Sequence, residues 1–112
     1  MVDINTFRKL ALSFPETSEQ PHFEKTSFRV AKKIFATWDS KTNIASIKLS
    51  AADQDVFAAF DKTIIHPVAN KWGLQGWTQI QLEKVRKDMC KDALTTAYLH
   101  VAPTKLGLLV KK

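Results

Sequence analysis

The feature that most constrains the fold is a change in hydrophobic spacing between residues 22 and 49. In the stretches HFEKTSFRV, IFATW and NIASIKLS, apolar and polar side chains alternate, as they do in strands that cover a core with one face. The AKK between the first two is short enough for a tight connection, and DSKTN has the composition of a turn. Three consecutive strands with short links predict an antiparallel meander.

Helical spacing flanks this meander on both sides. Asp3 is the predicted N-cap of a first helix that Pro15 stops, and Ser50 is the predicted N-cap of a second helix. The buried stripe of the second helix is predicted to be Ala52, Val56, Phe57, Ala59 and Phe60. A last helix is predicted from Glu83 to about Val101.

The remaining segments complete the order of elements. PETSEQP is predicted to be a loop, TIIHP the end of the second helix, and residues 70–76 a loop or single turn. WTQIQL is predicted to be a strand with Trp77, Gln79 and Gln81 on the face away from Ile80. The order α-β-β-β-α-β-α predicts an α+β fold: a two-layer α/β sandwich in which helices pack on one face of an antiparallel β-sheet. We expect residues 1–112 to form a single domain.

The charge of the chain favours an anionic partner. Its 17 lysine and arginine residues exceed its 11 acidic residues, which gives a net charge of +6. Residues 25–48 hold six basic residues and one acid, and residues 103–112 add Lys105, Lys111 and Lys112 without an acid. Such a balance favours DNA or another polyanion and disfavours a carboxylate site for hard cations. The alternative is a basic surface that serves solubility.

Other classes of function find no support in the sequence. We expect no membrane association, because no apolar run approaches the roughly 18 residues of a membrane span. A lone Cys90 suits a reducing interior, so a cytoplasmic monomer is expected. His22, His66 and His100 fit no metal-ligand spacing, and no catalytic motif is present. We therefore expect no metal, no cofactor and no enzymatic activity.

Several landmarks resemble one known family. The stretch ALSFPETSEQPHFEKTSFRVAKKIFATWD, the strand GWTQIQL and the last helix ending in APTKL are similar, in order and spacing, to MmcQ/YjbR-like proteins (DUF419) over about residues 5–105. Lys33, Ile34 and Phe35 match the family's hairpin pattern, and Trp77 matches its strand tryptophan. The resemblance implies a CyaY-like (frataxin-like) fold and DNA binding by a "double wing" of β-hairpins. It transfers no catalytic residues. AKK replaces the glycine-rich hairpin turn often seen in relatives, which makes the hairpin tip more basic.

The candidate contacts are basic side chains of the hairpin and the residues around two closely spaced tryptophans. The nucleic-acid-binding candidates are Arg29, Lys32, Lys33, Lys48, Lys71, Trp72 and Trp77. Only three of the 17 basic residues are arginines, so we expect phosphate-dominated, weakly sequence-specific contact with DNA. The alternative is an interaction module for a small planar or anionic ligand, or a protein partner, at the Trp72–Trp77 loop. A tryptophan that only packs under that loop would serve neither role.

Overall fold

The computed structural model describes residues 1–110, so the tail lysines Lys111 and Lys112 lie outside the described residues. The helices and strands follow in the order α1 (Ile4–Leu12), β1 (Thr17–His22), β2 (Lys25–Val30), β3 (Lys33–Asp39), β4 (Ile44–Lys48), α2 (Ala51–Ala58), β5 (Ile65–Pro67), α3 (Lys71–Leu74), β6 (Trp77–Gln81), α4 (Lys87–Val101) and α5 (Thr104–Gly107).

The strands form one open antiparallel sheet in the order β1-β2-β3-β4-β6-β5. Helices α1 and α4 pack on one face of it. The ring of Phe7 on α1 meets Phe28 of β2 at 5.6 Å between centroids, and Tyr98 on α4 meets Phe35 of β3 at the same distance. This arrangement confirms the predicted α+β fold, the meander β2-β3-β4 and the strand β6.

The predicted helix caps are also confirmed. The Asp3 carboxylate accepts a hydrogen bond from the Thr6 N–H at 2.7 Å, and the Ser50 hydroxyl accepts one from the Asp53 N–H at 3.1 Å. Each bond satisfies an N–H group that the helix itself leaves without a partner. These caps fix where α1 and α2 begin.

Two strands were missing from the predicted order. PETSEQP was expected to be a loop, but residues from Thr17 onward form β1, which pairs with β2 at the edge of the sheet. An edge strand exposed on both faces has no apolar alternation to reveal it. Pro21 is tolerated there because an edge strand has a neighbour on one side only, so a residue without an N–H need not break a ladder bond. TIIHP was expected to end the second helix, but Ile65–Pro67 form β5, which pairs with β6.

The predicted buried stripe of α2 was wrong except at one position. Phe57 is buried, whereas Ala52, Val56, Ala59 and Phe60 are exposed. The helix instead buries Gln54, whose side-chain N–H donates to the carbonyl oxygen of Gly73 at 3.0 Å and to the Thr78 hydroxyl at 3.1 Å. Because its amide is satisfied, a polar residue faces inward, while four of the apolar residues that the pattern assigned to the core face solvent.

The last helix begins at Lys87 instead of the expected Glu83. Residues 83–86 form a turn in which the N–H groups of Lys84 and Val85 donate to the Gln81 carbonyl oxygen, both at 3.0 Å. Val85 lies in this turn and is buried, so it belongs to the core although it precedes the helix. None of the helices in residues 1–110 combines the length and the apolar composition needed to cross a bilayer.

Cys90 of α4 gives the fold a testable dependence on alkaline pH. Burial raises the pKa of its thiol from 9.0 to about 12. In the unfolded chain the thiol titrates near its ordinary pKa, so from about pH 9 to 12 the unfolded state loses a proton that the folded state keeps. The free energy of unfolding is therefore expected to fall across this range, with the Cys90 share reaching about 2 kcal/mol at pH 10.5.

Urea denaturation of the wild type and of Cys90→Ala, each at pH 8 and at pH 10.5, measures this share. The variant is expected to lose less stability between the two pH values than the wild type, because its other titrating groups are unchanged. Equal losses in the two proteins would contradict the prediction.

Candidate nucleic-acid interface

The face of the sheet opposite α1 and α4 is polar and is left open by these helices, although Ser27 and Thr37 on it are themselves buried. The pairing register aligns one residue from each strand in a row across this face: Gln20, Ser27, Thr37, Ser46, Gln79 and His66. The next residues along the strands, such as Phe28, Ala36 and Ile47, belong to the buried core. The predicted position of Trp77 and Gln79 on the non-core face of β6 is thus confirmed.

A groove with a volume of about 360 Å³ crosses this open face. Its lining combines aromatic rings, hydrogen-bonding side chains and a basic residue: His22, Lys25, Ile34, Thr37, Ser46, Val68, Asn70, Trp72, Trp77 and Gln79. A register shift in β3 at the level of Phe28 and Arg29 turns Ile34 toward the groove while its neighbour Phe35 enters the core.

Both candidate tryptophans line the groove, and each has a lysine over its ring. Trp77 pairs with Lys48 across β4 and β6, and the Lys48 Nζ lies 5.5 Å from the ring centroid. On α3, the Nζ of Lys71 lies 5.9 Å from the ring centroid of Trp72, which is 50% exposed. These distances fall within the range of cation–π attraction. The structure therefore places four of the seven candidate residues at one end of the groove.

The hairpin lysines lie at the same end of the sheet. Val30 at the end of β2 pairs with Lys33 at the start of β3, so Ala31 and Lys32 form a two-residue turn. Both turn residues have positive φ, 50° and 68°, as a type I′ hairpin turn requires. Because neighbouring strands are antiparallel, the start of β3, the end of β4 and the start of β6 lie side by side. Lys33, Lys48 and Trp77 are therefore at one end.

Arg29 is placed differently from the other candidates. Its Nε donates to the Ser27 hydroxyl at 3.0 Å, and its Nη2 donates to the Pro21 carbonyl oxygen at 3.4 Å. The guanidinium thus reaches back along the sheet toward β1 and away from the hairpin turn. Part of its hydrogen-bonding capacity is already used inside the protein.

The candidate lysines keep their charge free of acidic partners. Across residues 1–110, the ion pairs join other side chains: Arg8 with Glu19, Lys41 with Glu24, and Arg86 with Asp88. Lys41 was counted in the basic stretch 25–48, and its partner Glu24 reduces the charge at the opposite end of the hairpins. The positive charge that remains is therefore concentrated near Lys32 and Lys33.

The histidines do not come together as a metal site. His22 lines the groove, His66 belongs to the polar row, and His100 lies on α4. Within residues 1–110, no three side chains among histidine, cysteine, aspartate and glutamate are grouped closely enough to hold a metal ion. The His66 Nε2 instead lies 3.3 Å from the amide nitrogen of Gln81.

The two glycines between the tryptophans are required by close backbone contacts. A Cβ on Gly73 would lie 2.0 Å from the Val68 carbonyl oxygen, and one on Gly76 would lie 1.9 Å from the Leu49 carbonyl oxygen. Gly76 also has φ of +104°, a conformation that other residues rarely adopt. The glycines therefore fold residues 68–77 tightly against the sheet, and this fold places Trp72 over the groove.

The polar lining of the groove was missed by the sequence reasoning. Thr37, Ser46 and Gln79 occupy non-core positions of predicted strands, so aligning those positions across the meander could have revealed the row. His22 and Lys25 were not among the candidate contacts, because β1 was not predicted and without it the hairpin that carries them has no second strand.

The comparisons with known proteins agree on family and fold. A model of the YjbR family matches residues 12–100. The chain is also similar to the crystal structure of the Deinococcus radiodurans protein DR2400, which carries a DUF419 domain. The TM-score is 0.76 at 20% identity, and the match covers 89% of this chain and 78% of DR2400. At that identity the likeness shows the fold alone. No curated protein matches the chain.

Replacing Gly76 tests the tight loop that carries the tryptophans. Gly76→Ala is expected to destabilise the protein by about 3 kcal/mol or more, because it combines a clash with the Leu49 backbone and a strained φ. Gly107→Ala is the control, since its added Cβ would lie 3.4 Å from the flexible Leu99 side chain. Urea unfolding measures both, and similar losses would contradict the assignment.

Proposed function

The chain belongs to the YjbR family, and from this premise we propose that it is a non-catalytic domain that binds DNA through its basic β-hairpin end. The proposal covers residues 1–112 as one cytoplasmic, monomeric domain with a CyaY-like fold. The order of α1, a meander and α4 over one face of the sheet supports that fold.

The observation that carries the proposal is the convergence of cations. Lys32 and Lys33 at the β2–β3 turn lie at the same end of the sheet as Lys48 and as α3 with Lys71. In the described chain, none of these lysines forms an ion pair with an acid. A cluster of uncompensated cations on one end of a small domain attracts a polyanion and contacts its phosphates.

The contact is expected to depend more on phosphate than on base sequence. Bidentate recognition of guanine requires an arginine fork, and the candidate surface has only Arg29, whose guanidinium already binds Ser27 and Pro21. Lysines on a narrow hairpin supply charge without a fixed hydrogen-bonding geometry. Binding should therefore weaken steeply with salt and vary little between sequences.

A second candidate function is favoured by the groove. Its volume of about 360 Å³ falls in the range of small-molecule sites. Trp72 and Trp77 offer planar surfaces there, and Lys48 and Lys71 offer charge. A small planar or anionic ligand, or a protein partner seated on the Trp72–Trp77 loop, would use these features without DNA.

Reversing the charge at the hairpin turn tests DNA binding. The double variant Lys32→Glu, Lys33→Glu is expected to lower the slope of log affinity against log salt by about 2 and to weaken duplex binding at least about tenfold. Fluorescence anisotropy with a labelled duplex measures both quantities. The control is Lys87→Glu, Lys91→Glu, which makes the same charge change on the exposed surface of α4. Absence of wild-type binding at ~50 mM salt, where phosphate contacts are strongest, would end the proposal.

Removing one ring tests the second candidate. If the groove binds a planar anion such as adenosine monophosphate, Trp72→Ala is expected to weaken binding about tenfold, because a stacked aromatic contact is lost. Leu74→Ala on the same short helix is the control, since Leu74 is exposed and does not line the groove. Isothermal titration calorimetry measures both variants. If the nucleotide neither changes tryptophan fluorescence nor produces a heat of binding, this class of ligand is ruled out.

A further inference from the structure

Phe23 is a residue type that neither packing nor the residue preference of its turn position explains. It is the first residue of the two-residue turn that joins His22 of β1 to Lys25 of β2. Its φ is +57°, where asparagine and glycine are favoured and a bulky aromatic residue is an outlier. The residue is 94% exposed, so burial does not offset the backbone strain. An aromatic residue that is both strained and exposed is a candidate for contact with something outside the domain.

The ring of Phe23 stands beside the groove. Its centroid lies 4.8 Å from that of His22, in an edge-to-face arrangement, and His22 lines the groove. Trp77 pairs with Lys48 at one end of the sheet, while His22 and Lys25 lie at the other end. Trp77 and Gln81 mark the two ends of β6, and four residues of strand span about 14 Å. Aromatic rings therefore stand at both ends of the open face.

The side chains between these rings are hydrogen-bonding groups. Thr37, Ser46 and Gln79 lie in the polar row that lines the groove, and Asn70 lines it from the loop. Lys25 adds a cation in the groove beside His22. Planar surfaces, donors and acceptors, and cations are together what unpaired bases and their phosphates require. Stacked nucleotides advance about 3.4 Å each along a strand, so the length of β6 corresponds to about four of them.

We propose that the open sheet face binds the unpaired bases of a single nucleic-acid strand, and that Phe23 is a stacking residue at the His22 end of the groove. This inference rests on the proposed nucleic-acid function and specifies its substrate. A duplex hides its base edges and keeps its bases stacked on one another, so it contacts the hairpin lysines without filling the groove.

The test compares a fluorescein-labelled twelve-residue oligothymidylate with a labelled duplex of the same length, at one salt concentration. The wild type is expected to bind the oligothymidylate more tightly than the duplex. Phe23→Asn removes the ring and keeps a residue suited to positive φ. It is expected to weaken oligothymidylate binding about tenfold, as the loss of one stacked base does, and to leave duplex binding unchanged. Phe60→Asn, at an exposed phenylalanine outside the groove, is the control.

Thermal unfolding of the same variants shows whether Phe23 contacts the ligand or stabilises the fold. Phe23→Asn is expected to unfold at the wild-type temperature or above it, since it relieves strain and exposes no core. A lower unfolding temperature would assign Phe23 a structural role and overturn the inference.

The remaining outcomes distinguish this inference from the proposed function. Binding of neither probe by the wild type would remove both proposals. A duplex bound as tightly as the oligothymidylate, or an unchanged affinity in Phe23→Asn, would overturn this inference and leave DNA binding by the hairpin standing. If thymidine monophosphate binds as tightly as the oligothymidylate, the ligand of the groove is a free nucleotide and not a strand, which would also overturn this inference.

Discussion

The pairing register of the central strands is the constraint on which the rest of the structure depends. It sets Phe28, Ala36 and Ile47 on the face that α1 and α4 cover, and it sets Thr37 and Ser46 on the other. A shift of one residue would exchange the two faces and expose the core. Because the apolar face is already covered by helices, the opposite face is free to be polar and concave. The groove is thus a consequence of how the core is built.

Residues 68–77, which carry Trp72 and Trp77, are held to this sheet by polar contacts. Gln54 of α2 reaches the Gly73 carbonyl and the Thr78 hydroxyl, which joins α2, α3 and β6 in one hydrogen-bonded unit. Gly73 and Gly76 allow the backbone to approach its neighbours where any Cβ would clash. Trp72 is therefore partly exposed on a rigid support, a combination that suits ligand contact without a large entropic cost of ordering.

The sequence predicted the parts of the fold that are governed by local spacing and failed where tertiary contacts decide. The meander, β6 and the caps at Asp3 and Ser50 follow from alternation and capping chemistry. β1 was missed because a polar edge strand has no alternation, and the stripe of α2 was misassigned because Gln54 finds partners distant in sequence. The candidate residues near Trp72 and Trp77 were identified, but Phe23 was not, since its φ angle and its exposure follow from the three-dimensional structure and have no signal in the sequence.

The lysines over the tryptophan rings connect charge to stacking in the proposed site. Each ammonium group now occupies a ring face that a base would need, at 5.5 Å from Trp77 and 5.9 Å from Trp72. A base that stacks there must displace the ammonium group, and the flexible lysine stem lets that group move toward the phosphate of the same nucleotide. The cation–π attraction that is lost is small, and the ion pair that forms with the phosphate is salt-sensitive. Stacking and phosphate binding would then occur together, so salt would weaken even the contacts made by the aromatic rings.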